Sequence, residues 1–230
     1  MKVLVKVLCG LCVVLAPGCA RDRTLDVTLL TRASIAAPQP PPLLTTPAAL
    51  LLTNHAGFSS RLVVESPGYS TSGTLWAGNA KLRFLPDSEK RVKNIPEGRY
   101  SFLWDVATRQ GWVLSDALQG YAPMTLSKMA EASSIRIEGV AGGDGRTIIA
   151  EMAGGKTLQF TAIPSGGSKG VPVEIKGGEP AFTAMLTKVN LAQPEAAMFE
   201  IPQGFTAYPS AEAMVDEMAN RFRNLRKKTY

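Results

Sequence analysis

The sequence predicts a mainly β fold with added helix (α+β), in which an antiparallel sheet is covered on its apolar side by a C-terminal helix and a short inserted helix. Three patterns carry this. From Phe58 onward, short segments alternate apolar and polar residues with period two. Glycine, proline, asparagine and aspartate separate them at hairpin distances. The last twenty residues change to a helical period.

The strand segments fall near 58–65, 70–77, 80–86, 99–107, 110–115, 133–139, 146–153, 156–163, 171–176 and 182–191. Leu82 and Phe84 flank Arg83, Ile135 and Ile137 alternate with Arg136 and Glu138, and Leu158 and Phe160 alternate with Gln159 and Thr161. Such alternation belongs to antiparallel sheets with one covered face, because strands buried on both sides read as continuous apolar runs. Between the strands, Leu126, Met129 and Ala130 have helix-like spacing, which predicts a short helix over 124–132. At the end, Ser210 is placed to cap a helix over 210–227 whose Met214, Met218, Phe222 and Leu225 form one stripe. Acids in its first half, bases in its last turns and a Glu217–Arg221 spacing of four all suit the helix dipole and side-chain pairing.

The N-terminus reads as an export signal over 1–18, with Lys2 and Lys6 followed by an apolar stretch from Val7 to Ala16. That stretch is too short for a spanning helix, which needs about 20 residues. LAPGC followed by Ala20 resembles the lipobox of bacterial lipoproteins, although Leu15 stands four residues before the cysteine where three is usual. The resemblance implies cleavage before Cys19 and attachment of membrane lipid to its thiol. With Ala20 next to it, the expected location is the cell envelope, at the outer membrane facing the periplasm.

Residues 19–50 contain Pro38, Pro40, Pro41, Pro42 and Pro47 and are expected to form an extended tether. The folded domain is then expected over 51–230. Cys9 and Cys12 leave with the signal, so an internal disulfide is excluded and stability must come from an apolar core. The formal net charge of +6 loses Lys2 and Lys6, leaving +4, with no long basic face. No nucleic-acid partner is expected from that distribution.

Catalytic patterns fail on context. AEMAGGKT, residues 150–157, matches a relaxed phosphate loop, but the following KTLQFTAI has strand period, so Gly154 and Gly155 read as a hairpin turn. GGSKG, residues 166–170, matches G-x-S-x-G but lacks a following helix and a downstream histidine. His55 is the one histidine, so a zinc cluster or a Cys/His pair cannot be assembled. Asp87, Asp105, Asp116 and Asp144 fall at turns and strand ends. The chain is expected to be non-enzymatic and to need no cofactor, with a carboxylate hydrolase as a further reading.

The order VPVEIKG, LTKVNL, FEIPQGFTAY resembles the last strands of proteins with the lipoprotein-carrier (LolA/LolB-like) fold, including lipoproteins ending in F-E-x-P-x-G-F/Y. SGTLWAGNAKLRF and YSFLWDVATRQGWVLSDALQGYAPM resemble earlier strands of that fold, so the likeness covers about 58–208. FEIPQGF itself reads as a strand ended by Pro202 and turned over Pro202–Gly204. The resemblance implies a strongly curved half-barrel sheet whose apolar concavity receives acyl chains. Trp76, Phe84, Phe102, Trp104 and Trp112, with Met218 and Phe222 of the helix, are then candidates either for the core or for a ligand wall. The expected ligand is a lipid, an acyl chain or another apolar molecule; the other reading is a protein-interaction module of the envelope.

Overall fold

A computed structural model describes residues 37–53, 55–87, 100–124, 132–139, 145–164 and 170–227, with side chains as far as residue 221. Cys19, the signal, most of the expected 124–132 helix and most of GGSKG lie outside the described residues.

Among the described residues twelve strands form one sheet. They are β1 (Phe58–Ser66), β2 (Tyr69–Gly78), β3 (Lys81–Pro86), β4 (Tyr100–Asp105), β5 (Gln110–Ser115), β6 (Gly120–Pro123), β7 (Ala132–Gly139), β8 (Arg146–Met152), β9 (Thr157–Pro164), β10 (Pro172–Gly177), β11 (Phe182–Asn190) and β12 (Thr206–Ala207). The spatial order is β12-β6-β5-β4-β3-β2-β1-β11-β10-β9-β8-β7. Two antiparallel meanders, β1 to β6 and β7 to β11, thus join along β1 and β11, where Leu62 faces Leu186 and Val64 faces Ala184. The two-residue β12 runs parallel to β6.

This order forces curvature. Ten strand spacings separate β6 from β7, about 48 Å across a flat sheet. The chain from Pro123 to Ala132 spans at most about 32 Å. The sheet is accordingly open and curved, and its concave side holds the main core. Phe58, Leu62, Val64, Leu75, Leu82, Phe84, Phe102, Trp104, Ile148, Phe160, Phe182 and Leu186 are all buried there. Phe84 stacks on Phe102 at 6.5 Å between ring centres.

The concave side is filled from a part of the chain that reads as tether. Helix α1 (Pro42–Thr45), a 3-10 turn (Pro47–Ala49) and helix α2 (Leu50–Thr53) place Leu43, Leu44, Leu51 and Leu52 at 0–3% exposure. They pack on β11, β8 and β2, reaching both meanders. The boundary at residue 50 is therefore corrected: the folded domain includes residues 42–50. The physical reason lies in Pro42 and Pro47, which occupy first positions of helical turns, where a fixed φ and a missing N–H cost nothing. Leu44 N donates to Pro41 O at 2.9 Å and Ala49 N to Thr46 O at 3.1 Å. Each of these leucines contributes about 1.5–3 kcal/mol by burial.

Helix α3 (Ala211–Lys227) lies where the stripe predicts, at the β6 side of the sheet. Ser210 Oγ accepts from Ala213 N at 3.2 Å, and Arg221 Nε donates to Glu217 at 2.8 Å. Met214 and Val215 are buried, and Met218 packs against the core from a half-buried position.

The convex side carries a second, smaller core. Trp76, Leu103, Trp112, Leu114 and Tyr121 project there and meet Met198, Phe199, Ile201 and Phe205. The chain expected to be a strand at FEIPQGF is instead a strap: a 3-10 turn (Ala196–Phe199), an irregular stretch, and a turn closed by Phe205 N donating to Pro202 O at 3.3 Å. Strand pairing resumes only at Thr206, because the preceding apolar side chains are spent on the convex face and Pro202 has no N–H to donate to a ladder. Gly154 and Gly155 form the β8–β9 hairpin turn, where Met152 N donates to Lys156 O at 2.7 Å.

Candidate functional site

The aromatic candidates split by strand parity. Phe84, Phe102 and Trp104 face the concave core at 0–2% exposure, while Trp76 and Trp112 face the strap on the opposite side. They are not one wall. Met218 borders the main core, the side chain of Phe222 lies outside the described residues, and Cys19 does as well.

Open space lies elsewhere, in a cleft of about 720 Å³ that none of the described candidates lines. Four parts of the chain build it: the extended segment from Ala37 to Pro40 with Pro42, Thr45 and Thr46; Val113, Pro123 and Met124 of the β5–β6 region; the turn at Glu179 and Pro180 with Phe182; and the start of α3 from Pro209 to Glu212. The segment before α1 is fixed partly by Tyr69, whose hydroxyl donates to Gln39 O at 3.4 Å and whose own pKa burial pushes up to about 12.

The wall chemistry is lopsided. Six prolines (Pro38, Pro40, Pro42, Pro123, Pro180 and Pro209) line the cleft, and none of them has an N–H to donate. Glu179 and Glu212 add negative charge. Glu212 is exposed, and its carboxyl is held below the ordinary range by its own backbone N–H and by Ser210. Lys156 reaches Glu179 at 2.6 Å, but both side chains are more than half exposed, so screening leaves that pair weak. Thr46 is a buried residue of the wall, and its Oγ1 has no hydrogen-bond partner among the described residues. Val113, Met124 and Phe182 supply apolar surface, together with the proline rings, Ala37 and Ala211. A ligand for this cleft needs apolar surface together with hydrogen-bond donors or positive charge.

Two of the carboxylates picked out in the sequence serve the fold, and Asp144 lies outside the described residues. Asp105 Oδ1 accepts from Thr108 N at 3.0 Å, and Asp87 is held by Arg61 and Ser72. On the convex side the guanidinium of Arg83 donates to Met198 O at 3.1 Å; burial lowers its pKa and Asp116 opposes that. His55 is half buried, edge-on to Phe58 at 6.1 Å; burial first and Arg146 second depress its pKa, against a hydrogen bond with the Leu51 backbone. Among the described residues no group of three or more His, Cys, Asp or Glu side chains could hold a metal, and no helix is long and apolar enough to cross a membrane. Sequence reasoning missed Thr45, Thr46, Glu179 and Glu212. The signal for the first two was the apolar run LLTTPAALLLT, which a tether does not need; no local pattern marks the glutamates.

No family model matches the chain, and no curated protein does. Solved structures to which it is similar include an uncharacterized conserved protein from Thermus thermophilus, at 8% identity over 72% of this chain and 94% of that one, with a TM-score of 0.39. Others are the MucA/MucB complex of Pseudomonas aeruginosa, at 13% identity, 66% and 58% coverage and a TM-score of 0.35, and MucB, at 13% identity, 71% and 65% coverage and a TM-score of 0.28.

Proposed function

We propose that this chain is an exported, non-catalytic binding module, held at the cell envelope through acylated Cys19, and that its cleft takes an extended segment of another envelope protein. The observation behind this reading is the acceptor-rich cleft beside a concave face already filled by Leu43, Leu44, Leu51 and Leu52. An acyl chain would have to displace those leucines, whereas a peptide brings backbone N–H groups and cationic side chains that prolyl carbonyls and two glutamates can receive. The carboxyl of Glu212 is held below its ordinary range by its own backbone N–H and by Ser210, which supports a standing acceptor for a donor or a cation.

A photo-crosslinking residue placed at Thr45 in cells should give a discrete adduct with another envelope polypeptide, and one at exposed Met185 should not. Glu179→Gln combined with Glu212→Gln should weaken the Thr45 adduct. A Thr45 adduct unaffected by both changes would count against charge-assisted recognition. The second reading, an apolar ligand on Val113, Met124 and Phe182, is favoured if Thr45 gives no polypeptide adduct and gently extracted protein carries stoichiometric lipid by mass spectrometry.

A further inference from the structure

The sheet has a long edge at β7. Among the described residues no strand pairs with β7 on the side away from β8. An edge of this length, unpaired among the described residues, is a template for strand addition unless its side chains oppose it. Here they select one partner. Arg136 and Glu138 are exposed on one face, while Ile135 and Ile137 point to the other, opposite buried Ala150 and Ile148 of β8. Ile137 remains 45% exposed, one of four large apolar side chains so placed among the described residues.

We propose that β7 is a self-association edge, on which a second copy of this chain pairs its own β7 antiparallel about a twofold axis at Ile137. An axis normal to the sheet keeps each residue on its own face, so only residues of like parity oppose one another. Three adjacent registers satisfy that rule. Centring on Arg136 sets Arg136 against its own copy, and centring on Glu138 sets Glu138 against its own copy. Centring on Ile137 sets Arg136 opposite Glu138 of the second copy, twice by symmetry, and buries Ile137 against its counterpart. Opposite charges directly across a ladder stabilise it and like charges destabilise it, so side-chain charge chooses the register. In that register Ile135 faces Gly139 of the second copy, and a side-chain atom built on Gly139 meets nothing within 4 Å, which leaves room for it. The paired stretch begins after the bulge between Ala132 and Ser134, where Ser133 and Ser134 are tied to Glu151 of β8.

The test is sedimentation of the full chain in excess detergent micelles, with single and double charge reversals. The wild type should show a monomer–dimer equilibrium. Arg136→Glu or Glu138→Arg alone should weaken dimerisation about tenfold by placing like charges opposite each other twice, and the double reversal should restore it to within about twofold. Under mild oxidation Ile137→Cys should crosslink to its own copy far more readily than Ile163→Cys on the outer face. A wild type that stays monomeric, a double reversal as weak as either single one, or equal crosslinking from both positions would overturn the proposal. Because the double reversal carries both substitutions, its recovery separates lost pairing from lost folding.

Discussion

Single side chains show where the interior is tightest and where it responds to pH. The Trp104 ring lies over Gly111 on the neighbouring strand, and a side-chain atom built on Gly111 would sit 2.5 Å from the indole. Gly111→Ala should therefore cost about 1–3 kcal/mol in denaturant unfolding, the usual cost of overpacking. Nothing in the local pattern QGWVLS announces this, since a glycine in a strand reads only as a weak point. His55 sets a pH dependence. Its folded pKa lies below the ordinary 6.5, so between the two values the unfolded chain holds more protons. The His55 contribution should then be constant above about pH 6.5 and fall as pH drops through that window. Unfolding midpoints at neutral and mildly acidic pH check this, and His55→Gln should flatten the slope.

Elements were legible where period and punctuation agreed. The ten expected strands correspond to β1–β5 and β7–β11 within a few residues, and Ser210 caps α3 as its spacing requires. The two strands that escaped, β6 and β12, are four and two residues long, too short for a period to register. The strap escaped for another reason. Phe199 and Ile201 flank Glu200 as in a strand, but with Phe205 they serve a second core on the convex face, which no period encodes. Arg83 ties that strap to β3 through Met198 O, and the Phe199 ring lies against Gly78. Arg83→Ala should cost about 1.5–3 kcal/mol, the range for a hydrogen bond from a charged donor. Phe199→Ala should cost about 3–5 kcal/mol. Both should alter Trp76 and Trp112 fluorescence, whereas Ser210→Ala should cost about 1 kcal/mol and leave it unchanged.

At the scale of the whole molecule, a curved sheet with an apolar hollow must be filled, and the question is by what. Sequence patterns gave the sheet and its covering helix, but they assigned the filling to aromatic residues or to a ligand. Proline dominates the text around residues 38–47 and masks the leucines beside it, because Pro42 and Pro47 read as breakers although they begin helical turns. The cleft is less legible still, since Thr46, Phe182, Glu179 and Glu212 meet there only after both meanders close. If residues 42–53 are integral to the fold, the hollow is occupied and recognition is left to the cleft. Equilibrium unfolding of Leu44→Ala and Leu52→Ala tests this most directly. Each should lose about 2–5 kcal/mol, as buried leucines do. Losses below about 0.5 kcal/mol, the size expected at an exposed surface position, would mean that the segment is a loose tether and that the hollow is free for a ligand.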